Sequence, residues 1–346
     1  MEFYNTVTHL HLEPTGDCNA QCPACPRNVW GSKFVNSDVD TGHLDLSLLD
    51  NIDIDIKDVL INGNYGDWLM HPQAIDMVQL IQSKWSPQIQ INTNGSARDK
   101  QFWQQAGQLG VTMEFSIEGV DQGTHSYYRR NTILRRLLDN AEAYISAGGK
   151  ATWIMTVFEH NQHQIQECKE LSQAMGFDRF EIRYSHRQMS GNPIPIMEND
   201  MIISNWLWPT EPNKSFDTEL YSKQIQREVA QHQVTGNIIT RDHSATWVDN
   251  NSVSCNVKDT GSIYVSAQGK LTPCCYLGKN ITWDNVCKLF DVPADFNRLT
   301  NNSASAILEH SFWKQLDETL KSQTVCSVCN YNCKQKRIDK RQRQSI

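Results

Sequence analysis

The sequence predicts an α/β protein: a partial (β/α)6 barrel of the TIM type, followed by a small cysteine-rich C-terminal domain that contains a β-hairpin. Three observations lead to this prediction. Six short apolar strands alternate with helical segments between residues 7 and 185. The helical segments end in glycine before the next strand, which favours right-handed βαβ crossovers and a parallel sheet. Seven of the cysteines are confined to the last 92 residues.

The six predicted strands share a short length and an enrichment in β-branched or apolar residues. They are 7–14 (VTHLHLEP), 58–64 (DVLINGN), 89–95 (IQINTNG), 111–119 (VTMEFSIEG), 151–161 (ATWIMTVFEHN) and 179–185 (RFEIRYS). Six such units are too few for a closed eight-stranded barrel, and they do not follow a typical doubly wound order. Chemistry in such sheets lies at the carboxyl ends of the strands, so we expect the loop after the first strand on the functional face.

We expect three parts along the chain. Residues 1–186 form the barrel, residues 187–250 form a bridging or lid segment rich in proline and tryptophan, and residues 251–346 form the cysteine-rich domain with a basic tail. The tryptophans of the bridging segment are expected to pack rather than to contact substrate. The segment 260–276 (TGSIYVSAQGKLTPCCY) is typical of a β-hairpin, in which Gly269 supplies the positive φ of the turn.

The composition is that of a globular protein in a reducing cytoplasm. The chain has 346 residues, 39% of them hydrophobic, and a net charge of −7, which argues against nucleic acid as a partner. No apolar stretch approaches the roughly 20 residues of a membrane span, and the first residues lack the pattern of a signal peptide. Eleven cysteines, an odd number, fit a disulfide framework poorly. The basic run 334–344 is expected to be a solvated C-terminus.

The loop CNAQCPAC places Cys18, Cys22 and Cys25 within eight positions. A structural zinc site needs four ligands, so these thiols would have to recruit a distant fourth. A [4Fe–4S] cluster takes one cysteine at each iron. Three cysteines would leave one iron open, and an open position makes a metal site reactive. Spacing alone leaves both alternatives open.

This loop, placed after a first strand, resembles the C-x3-C-x2-C signature of the radical S-adenosylmethionine (SAM) superfamily. The resemblance extends over residues 7–185: the second strand ends in NGNYGDW, the third in NTNG and the fourth in SIEG. The partial barrel is also the fold of that superfamily. Two positions depart from its pattern. Ala24 stands where an aromatic residue is usual, and Asp67 stands where glutamate is common.

The resemblance implies that Cys18, Cys22 and Cys25 hold a [4Fe–4S] cluster whose open iron binds SAM. One electron would cleave SAM to methionine and a 5′-deoxyadenosyl radical, which would abstract hydrogen from an unactivated C–H bond. An electron donor such as flavodoxin or ferredoxin is implied as a partner. The residues implied to contact SAM are Gly63, Asn64, Gly66, Asp67, Asn94, Ser116 and Glu118. Three arginines could pair with the methionine carboxylate or form surface ion pairs instead: Arg129, Arg130 and Arg183.

The C-terminal cysteines allow zinc or iron–sulfur on spacing alone, and they resemble the SPASM/twitch extension of radical SAM enzymes. That resemblance implies one auxiliary [4Fe–4S] cluster, used for electron transfer or for substrate binding. Four of five cysteines would be its ligands: Cys255, Cys274, Cys326, Cys329 and Cys333. The first four are favoured, and Cys333 is the rival for the fourth place. Three further cysteines are expected not to be ligands: Cys168, which is expected in the core, Cys275 and Cys287.

The sequence does not define the substrate. Modification of a peptide and oxidation of a small alcohol, such as a sugar or an aminocyclitol, are both compatible with the resemblance. A different class also stays open: a non-enzymatic iron–sulfur or zinc protein would hold metal but would never cleave SAM.

Overall fold

The computed structural model describes residues 7–184, 191–235, 244–250, 253–333 and 344–345. Most of the basic C-terminal run, and parts of the predicted bridging segment, lie outside these ranges. The strands are β1 (His9–Leu12), β2 (Asp58–Asn62), β3 (Gln88–Thr93), β4 (Thr112–Ser116), β5 (Lys150–Val157), β6 (Arg179–Tyr184), β7 (Ile194–Met197), β8 (Ile203–Leu207), β9 (Trp247–Asp249), β10 (Ser262–Val265), β11 (Leu271–Thr272), β12 (Thr324–Cys326) and β13 (Gln344–Ser345). Each of the six predicted barrel strands is therefore present.

Helices follow the strands of the barrel, as the alternating pattern predicts. The α-helices are α1 (Ala74–Trp85), α2 (Lys100–Gly107), α3 (Gln122–Tyr128), α4 (Leu134–Ser146), α5 (Ile165–Ala174), α6 (Thr218–Thr235), α7 (Asn256–Thr260), α8 (Asn280–Phe290), α9 (Ala304–Leu308), α10 (Ser311–Lys321) and α11 (Ser327–Asn332). Among the residues that the structure describes, no helix has both the length and the apolar character of a membrane span.

The barrel strands belong to one nine-stranded sheet in the order β11-β10-β1-β2-β3-β4-β5-β6-β13. β1 pairs in parallel with β2, β4 with β5, and β5 with β6. Strands β1 to β6 thus follow one another in chain order, as in a (β/α) barrel, whereas a doubly wound sheet reverses its order at a switch point. The predicted partial barrel is confirmed.

The predicted C-terminal hairpin is also present. β10 and β11 pair antiparallel, and Gly269 between them has φ 69°. A Cβ on this glycine would lie 2.6 Å from Cδ1 of Leu48, so both the conformation and the space favour glycine. β10 pairs in parallel with β1 on its other side, with His11 opposite Tyr264. The hairpin therefore continues the barrel sheet beyond β1.

Two compact units are distinguished by the contacts within the chain. The first comprises residues 1–17, 38–91 and 242–339, and the second comprises residues 18–37, 92–241 and 340–346. The loop with Cys18 belongs to the second unit, and the cysteine-rich C-terminal segment belongs to the first. The three-part division at residues 186 and 250 stays a prediction.

The predicted bridging segment contains regular structure that its sequence pattern does not reveal. β7 and β8 form an antiparallel pair, followed by α6. Pro193 and Pro195 obscure the strand pattern, but proline is tolerated in a strand with a free edge. The ring of Trp206 on β8 lies 6.1 Å from those of Phe216 and Tyr221, so this tryptophan packs against neighbouring aromatic residues.

Candidate active site

The three cysteines of the loop converge on one apolar cluster in the second unit. Cys22 is buried in the cluster, and Cys18 and Cys25 are half-buried and pack against it. Other members come from distant parts of this unit, among them Tyr128 of α3 and Phe158, which follows β5. Their rings lie 4.7 Å apart. The loop therefore gathers its thiols at one apolar wall.

Hydrogen bonds made by the backbone of this loop fix its conformation. The amide of Gln21 donates to the carbonyl oxygen of Arg130 at 2.9 Å. The side chain of Asn131 donates to the carbonyl oxygen of Asn19 at 2.7 Å. Asn131 has φ 61°, in the left-handed region that asparagine tolerates better than most residues. The loop is thus held by the segment that follows α3.

Asn94, at the end of β3, connects its strand to the cysteine loop. Its Nδ2 lies 3.6 Å from Sγ of Cys18 and donates to Oδ1 of Asn19 at 3.0 Å. Its Oδ1 accepts from the amide and the hydroxyl of Ser96 at 3.0 and 2.7 Å. Asn94, which is predicted to contact SAM, therefore forms hydrogen bonds that orient the cysteine loop.

Arg129 bridges the loop and the predicted SAM residue Glu118. Its Nε and Nη2 donate to Oε1 of Glu118 at 2.9 and 2.7 Å, and its Nη1 lies 3.7 Å from Sγ of Cys22. The amide of Thr156 donates to the other carboxylate oxygen at 2.5 Å. Burial raises the pKa of Glu118, and the charge of Arg129 opposes that rise. Burial likewise raises the pKa of Cys22 to about 11, against the charge of Arg129.

Each of the three candidate arginines has a carboxylate partner. Arg130 donates to Glu198 at 2.8 Å, and Arg183 pairs with Glu114, a buried residue of β4. These contacts favour ion pairing, the alternative to a SAM contact, for Arg130 and Arg183. Among the described contacts of these three arginines, only those of Arg129 include a cysteine of the loop.

The residues of the loop fit an iron–sulfur cluster. No group of three or more histidine, cysteine, aspartate or glutamate side chains within the described ranges is placed to bind a single metal ion. A cubane cluster differs from a single ion because each cysteine binds a separate iron, so its thiols stand around a larger body. Three thiols at one apolar wall, two of them near N–H donors, suit such a cluster and leave one iron without a cysteine.

In the first unit, the segment Gly63–Asp67 requires its two glycines. A Cβ on Gly63 would overlap the carbonyl oxygen of Gly66, and a Cβ on Gly66 would overlap the carbonyl oxygen of Thr15. The amides of Tyr65 and Gly66 both donate to Oε1 of Glu13, at 2.5 and 3.1 Å. The backbone of this segment is therefore closely packed and held by one carboxylate.

Two other predicted SAM residues have more ordinary surroundings. The carboxylate of Asp67 is buried and accepts from the amide of Leu69 at 3.3 Å, which caps a single turn of 3-10 helix. Ser116 ends β4 and is half-buried. Their predicted SAM contacts stay predictions.

The five candidate ligands of the auxiliary site lie together in the first unit. Burial raises the pKa of Cys274, and the neighbouring thiols of Cys275, Cys333 and Cys255 raise it further, Cys275 most of the three. A hydrogen bond from Cys329 lowers the pKa of Cys326 to about 7. The amide of Cys333 donates to the carbonyl oxygen of Cys329 at 2.8 Å. These interactions link the five cysteines to one another, and which four of them are ligands stays a prediction.

The remaining cysteines differ in their surroundings. Cys168 on α5 and Cys287 on α8 are buried, and burial raises the pKa of each to about 12. Cys275 is the immediate neighbour of Cys274, and the nearby carboxyl of Glu13 adds to the effect of burial on its pKa. Cys168 and Cys287 are thus core thiols, whereas Cys275 borders the auxiliary site.

No family model matches the sequence. A tungsten-containing aldehyde ferredoxin oxidoreductase cofactor-modifying protein of Pyrococcus furiosus is 28% identical over 111 residues, which are 32% of this chain and 30% of that protein. Among solved structures, Streptococcus suis SuiB bound to SAM has a TM-score of 0.51 at 15% identity, and the alignment covers 94% of this chain and 78% of SuiB. In another structure of SuiB, the chain spans 61% of that protein.

A second solved protein, anSMEcpe bound to SAM, has a TM-score of 0.53 at 13% identity, and the alignment covers 91% of this chain and 84% of anSMEcpe. With SAM and the Cp18Cys peptide bound, its TM-score is 0.52 at 10% identity. The chain has the fold of radical SAM enzymes. At these identities the similarity establishes the radical SAM fold, and the resemblance found in the sequence is confirmed at that level.

Within the radical SAM fold, the departure at Ala24 has a structural setting. Ala24 is buried in the apolar cluster of the loop, where Tyr128 and Phe158 provide the large rings. The sequence does not reveal the role of these two residues, because neither lies near the cysteines along the chain. Glu13 was also missed, although a carboxylate directly after a strand that leads to the cysteine loop is a signal that could have found it.

Proposed function

We propose that this protein is a radical SAM enzyme that abstracts hydrogen from an unactivated C–H bond of a peptide or small-molecule substrate. One observation carries the proposal: the three thiols of one loop share an apolar wall, with N–H donors of Asn94 and Arg129 near two of the sulfurs. A [4Fe–4S] cluster bound there would supply the one-electron cleavage of SAM to methionine and the 5′-deoxyadenosyl radical.

The protein's own residues would bind and orient SAM. The segment Gly63–Asp67 presents backbone close to its neighbours because its glycines lack a Cβ, and such backbone can approach a ligand closely. Tyr128 and Phe158 give the thiol loop an apolar wall that excludes water. Arg129 would place a positive charge near the thiolate of Cys22, which stabilises the ionised form.

The C-terminal thiols support an auxiliary [4Fe–4S] cluster as the second cofactor. We propose four ligands from the set Cys255, Cys274, Cys326, Cys329 and Cys333. If all its irons have cysteine ligands, such a cluster accepts or delivers one electron, and oxidation of an alcohol radical to a ketone requires such an acceptor. An electron donor such as flavodoxin or ferredoxin would reduce the enzyme.

Both substrate classes remain part of the proposal. The structure of anSMEcpe with a bound peptide supports a peptide, and the name of the Pyrococcus relative, a cofactor-modifying protein, supports a smaller substrate. The genes beside this one discriminate between the classes: a short precursor peptide favours the first, and sugar-modifying enzymes favour the second. Transfer of deuterium from a labelled candidate substrate into 5′-deoxyadenosine would identify the reacting C–H bond.

The test is anaerobic reconstitution with iron and sulfide, followed by dithionite and SAM. We expect about eight irons per chain, because two four-iron clusters would be bound, together with release of 5′-deoxyadenosine. Replacing Cys18, Cys22 and Cys25 by alanine should abolish cleavage and leave about four irons. Cys168→Ala is the matched control and should retain both clusters and the cleavage of SAM. Bound zinc, iron without cleavage, or cleavage by the triple variant would contradict the proposal.

A further inference from the structure

Glu13 lies in the centre of a buried polar network in the first unit. It follows β1, is 1% exposed, and its two carboxylate oxygens accept from four donors. Oε1 accepts from the amides of Tyr65 and Gly66 at 2.5 and 3.1 Å. Oε2 accepts from the hydroxyl of Tyr264 at 2.7 Å and from Nδ2 of Asn64 at 3.4 Å. Three of the four donors belong to the segment Gly63–Asp67.

The register of the sheet places Tyr264 beside this carboxylate. β10 pairs in parallel with β1, His11 is opposite Tyr264, and the amide of Glu13 donates to the carbonyl oxygen of Val265 at 2.9 Å. His11 and Glu13 are two positions apart, so their side chains share one face of the strand. The hydroxyl of Tyr264 therefore reaches the carboxylate of Glu13, which lies two residues beyond the position opposite Tyr264.

The surroundings hold Tyr264 in this position. Its ring meets that of His11 edge-on at a centroid distance of 5.1 Å, and a Cβ on Gly278 would lie 2.5 Å from the ring. Cys275, beside the candidate ligand Cys274, interacts electrostatically with Glu13. One side of the network is thus the segment Gly63–Asp67, and the other is the hairpin that leads to the auxiliary thiols.

We infer that Glu13 is a positioning residue for the SAM-binding segment Gly63–Asp67, and that Tyr264 makes the C-terminal hairpin part of the same support. This inference rests on the proposed function, because it assumes that the segment binds SAM. Its consequence is that SAM affinity depends on a hydroxyl group of β10, which is separated along the chain from every residue proposed to contact SAM.

The chemistry of the network supports this role. An ionised carboxylate has lone pairs for all four donors, whereas glutamine offers them one uncharged acceptor oxygen and turns an NH2 donor toward two of them. Burial raises the pKa of Glu13 to about 7, while the hydrogen bonds from Tyr264, Tyr65, Gly66 and Asn64 oppose that rise. Loss of this acceptor would release the amides of Tyr65 and Gly66, which define the conformation of the segment.

The first test needs neither iron nor SAM. Hydrogen–deuterium exchange of peptides covering Gly63–Asp67 is compared among the wild type, Glu13→Gln and Tyr264→Phe. Above the raised pKa of Glu13 of about 7, where its carboxylate is ionised, we expect exchange in this segment to accelerate about tenfold or more in both variants, because a hydrogen bond to a charged group is lost or weakened. The matched control is Tyr144→Phe: this buried hydroxyl donates to Val111 at 2.7 Å, before β4, and its loss should leave the segment unchanged.

The second test measures SAM binding by equilibrium dialysis on anaerobically reconstituted protein. Glu13→Gln and Tyr264→Phe should bind SAM about tenfold more weakly than Tyr144→Phe. The change in the electron paramagnetic resonance spectrum on adding SAM should then require a correspondingly higher SAM concentration. Equal SAM affinity in all three variants would overturn the inference while the proposed function stands. A wild-type protein that binds no SAM would instead overturn the proposed function, and the exchange result would then describe loop support alone.

Discussion

Nη1 of Arg129 lies 3.7 Å from the sulfur of Cys22. The same guanidinium forms an ion pair with Glu118, whose carboxylate is fully buried. One arginine therefore contacts both a thiol of the predicted cluster loop and a buried negative charge. This arrangement makes the arginine important for stability as well as for the loop.

Arg129→Met should destabilise the protein strongly because it leaves the charge of Glu118 buried without its oppositely charged partner. We expect a loss of about 3–5 kcal/mol in the free energy of unfolding, measured by urea denaturation. The double variant Arg129→Met/Glu118→Gln should recover most of this loss, since no buried charge remains. The control is Arg135→Met, which removes an exposed ion pair with Asp139 and should cost at most about 1 kcal/mol. Similar losses at Arg129 and Arg135 would contradict this prediction.

Gly66→Ala should distort the segment Gly63–Asp67, which we propose to bind SAM. The added Cβ would overlap the carbonyl oxygen of Thr15, which is backbone and cannot rotate away. We expect a loss of about 1–3 kcal/mol in unfolding free energy and weaker SAM binding in the dialysis assay. Gly123→Ala on α3 serves as the control, because its Cβ would lie 3.2 Å from a carboxylate oxygen of Asp121, without the backbone overlap that Gly66→Ala causes. An unchanged SAM affinity in Gly66→Ala would show that the segment does not contact SAM.

Iron counts should identify the fourth ligand of the auxiliary site. In a protein whose three loop cysteines are alanine, Cys274→Ala should lose the remaining four irons or so. Cys333→Ala in the same background should keep them if Cys255, Cys274, Cys326 and Cys329 are the ligands. Cys287→Ala is the control for loss of a buried thiol. Loss of iron in Cys333→Ala would instead make that residue a ligand.

The stability of the wild type should fall relative to Glu13→Gln as pH rises from about 4.5 to about 7. The pKa of Glu13 is raised by burial from 4.5 to about 7 in the folded protein. Between these values the unfolded chain has lost the proton and the folded chain keeps it, so unfolding becomes more favourable as pH rises. The pKa difference corresponds to about 3 kcal/mol in unfolding free energy.

Urea denaturation of both proteins at several pH values tests this prediction. Burial lowers the pKa of His11 to about 4, but this residue is present in both proteins, so its contribution cancels in the difference. A difference in stability that stays constant between pH 4.5 and 7 would show that Glu13 does not titrate in this range.

Local patterns made the barrel predictable. Strands such as β5 alternate with helices that end near glycine, and this order along the chain is also the order in the sheet. The hairpin of β7 and β8 was not predicted, because Pro193 and Pro195 interrupt the strand pattern. Its pairing depends on packing with later residues rather than on local propensity.

The site was predictable only where its residues are close in sequence. The spacing of the three cysteines in CNAQCPAC predicts a metal-binding loop, and the structure places their thiols at one apolar wall. The sequence did not show that the carboxylate of Glu118 pairs with Arg129 and accepts from the amide of Thr156; its contact with SAM stays a prediction. The bond between Glu13 and Tyr264 joins residues 251 positions apart, and no spacing rule reaches that far.

The parallel pairing of β1 with β10 has a consequence for how the chain is made. β1 can pair with β2 early in synthesis, but its other edge is completed only by residues that emerge about 250 positions later. At about 5–20 residues per second, that edge stays open on the ribosome for roughly 10–50 s. An open strand edge is a template for association with other chains. The yield of this protein in a cell should therefore depend on how quickly the last third of the chain follows the first strand, and on the chaperones that cover that strand meanwhile.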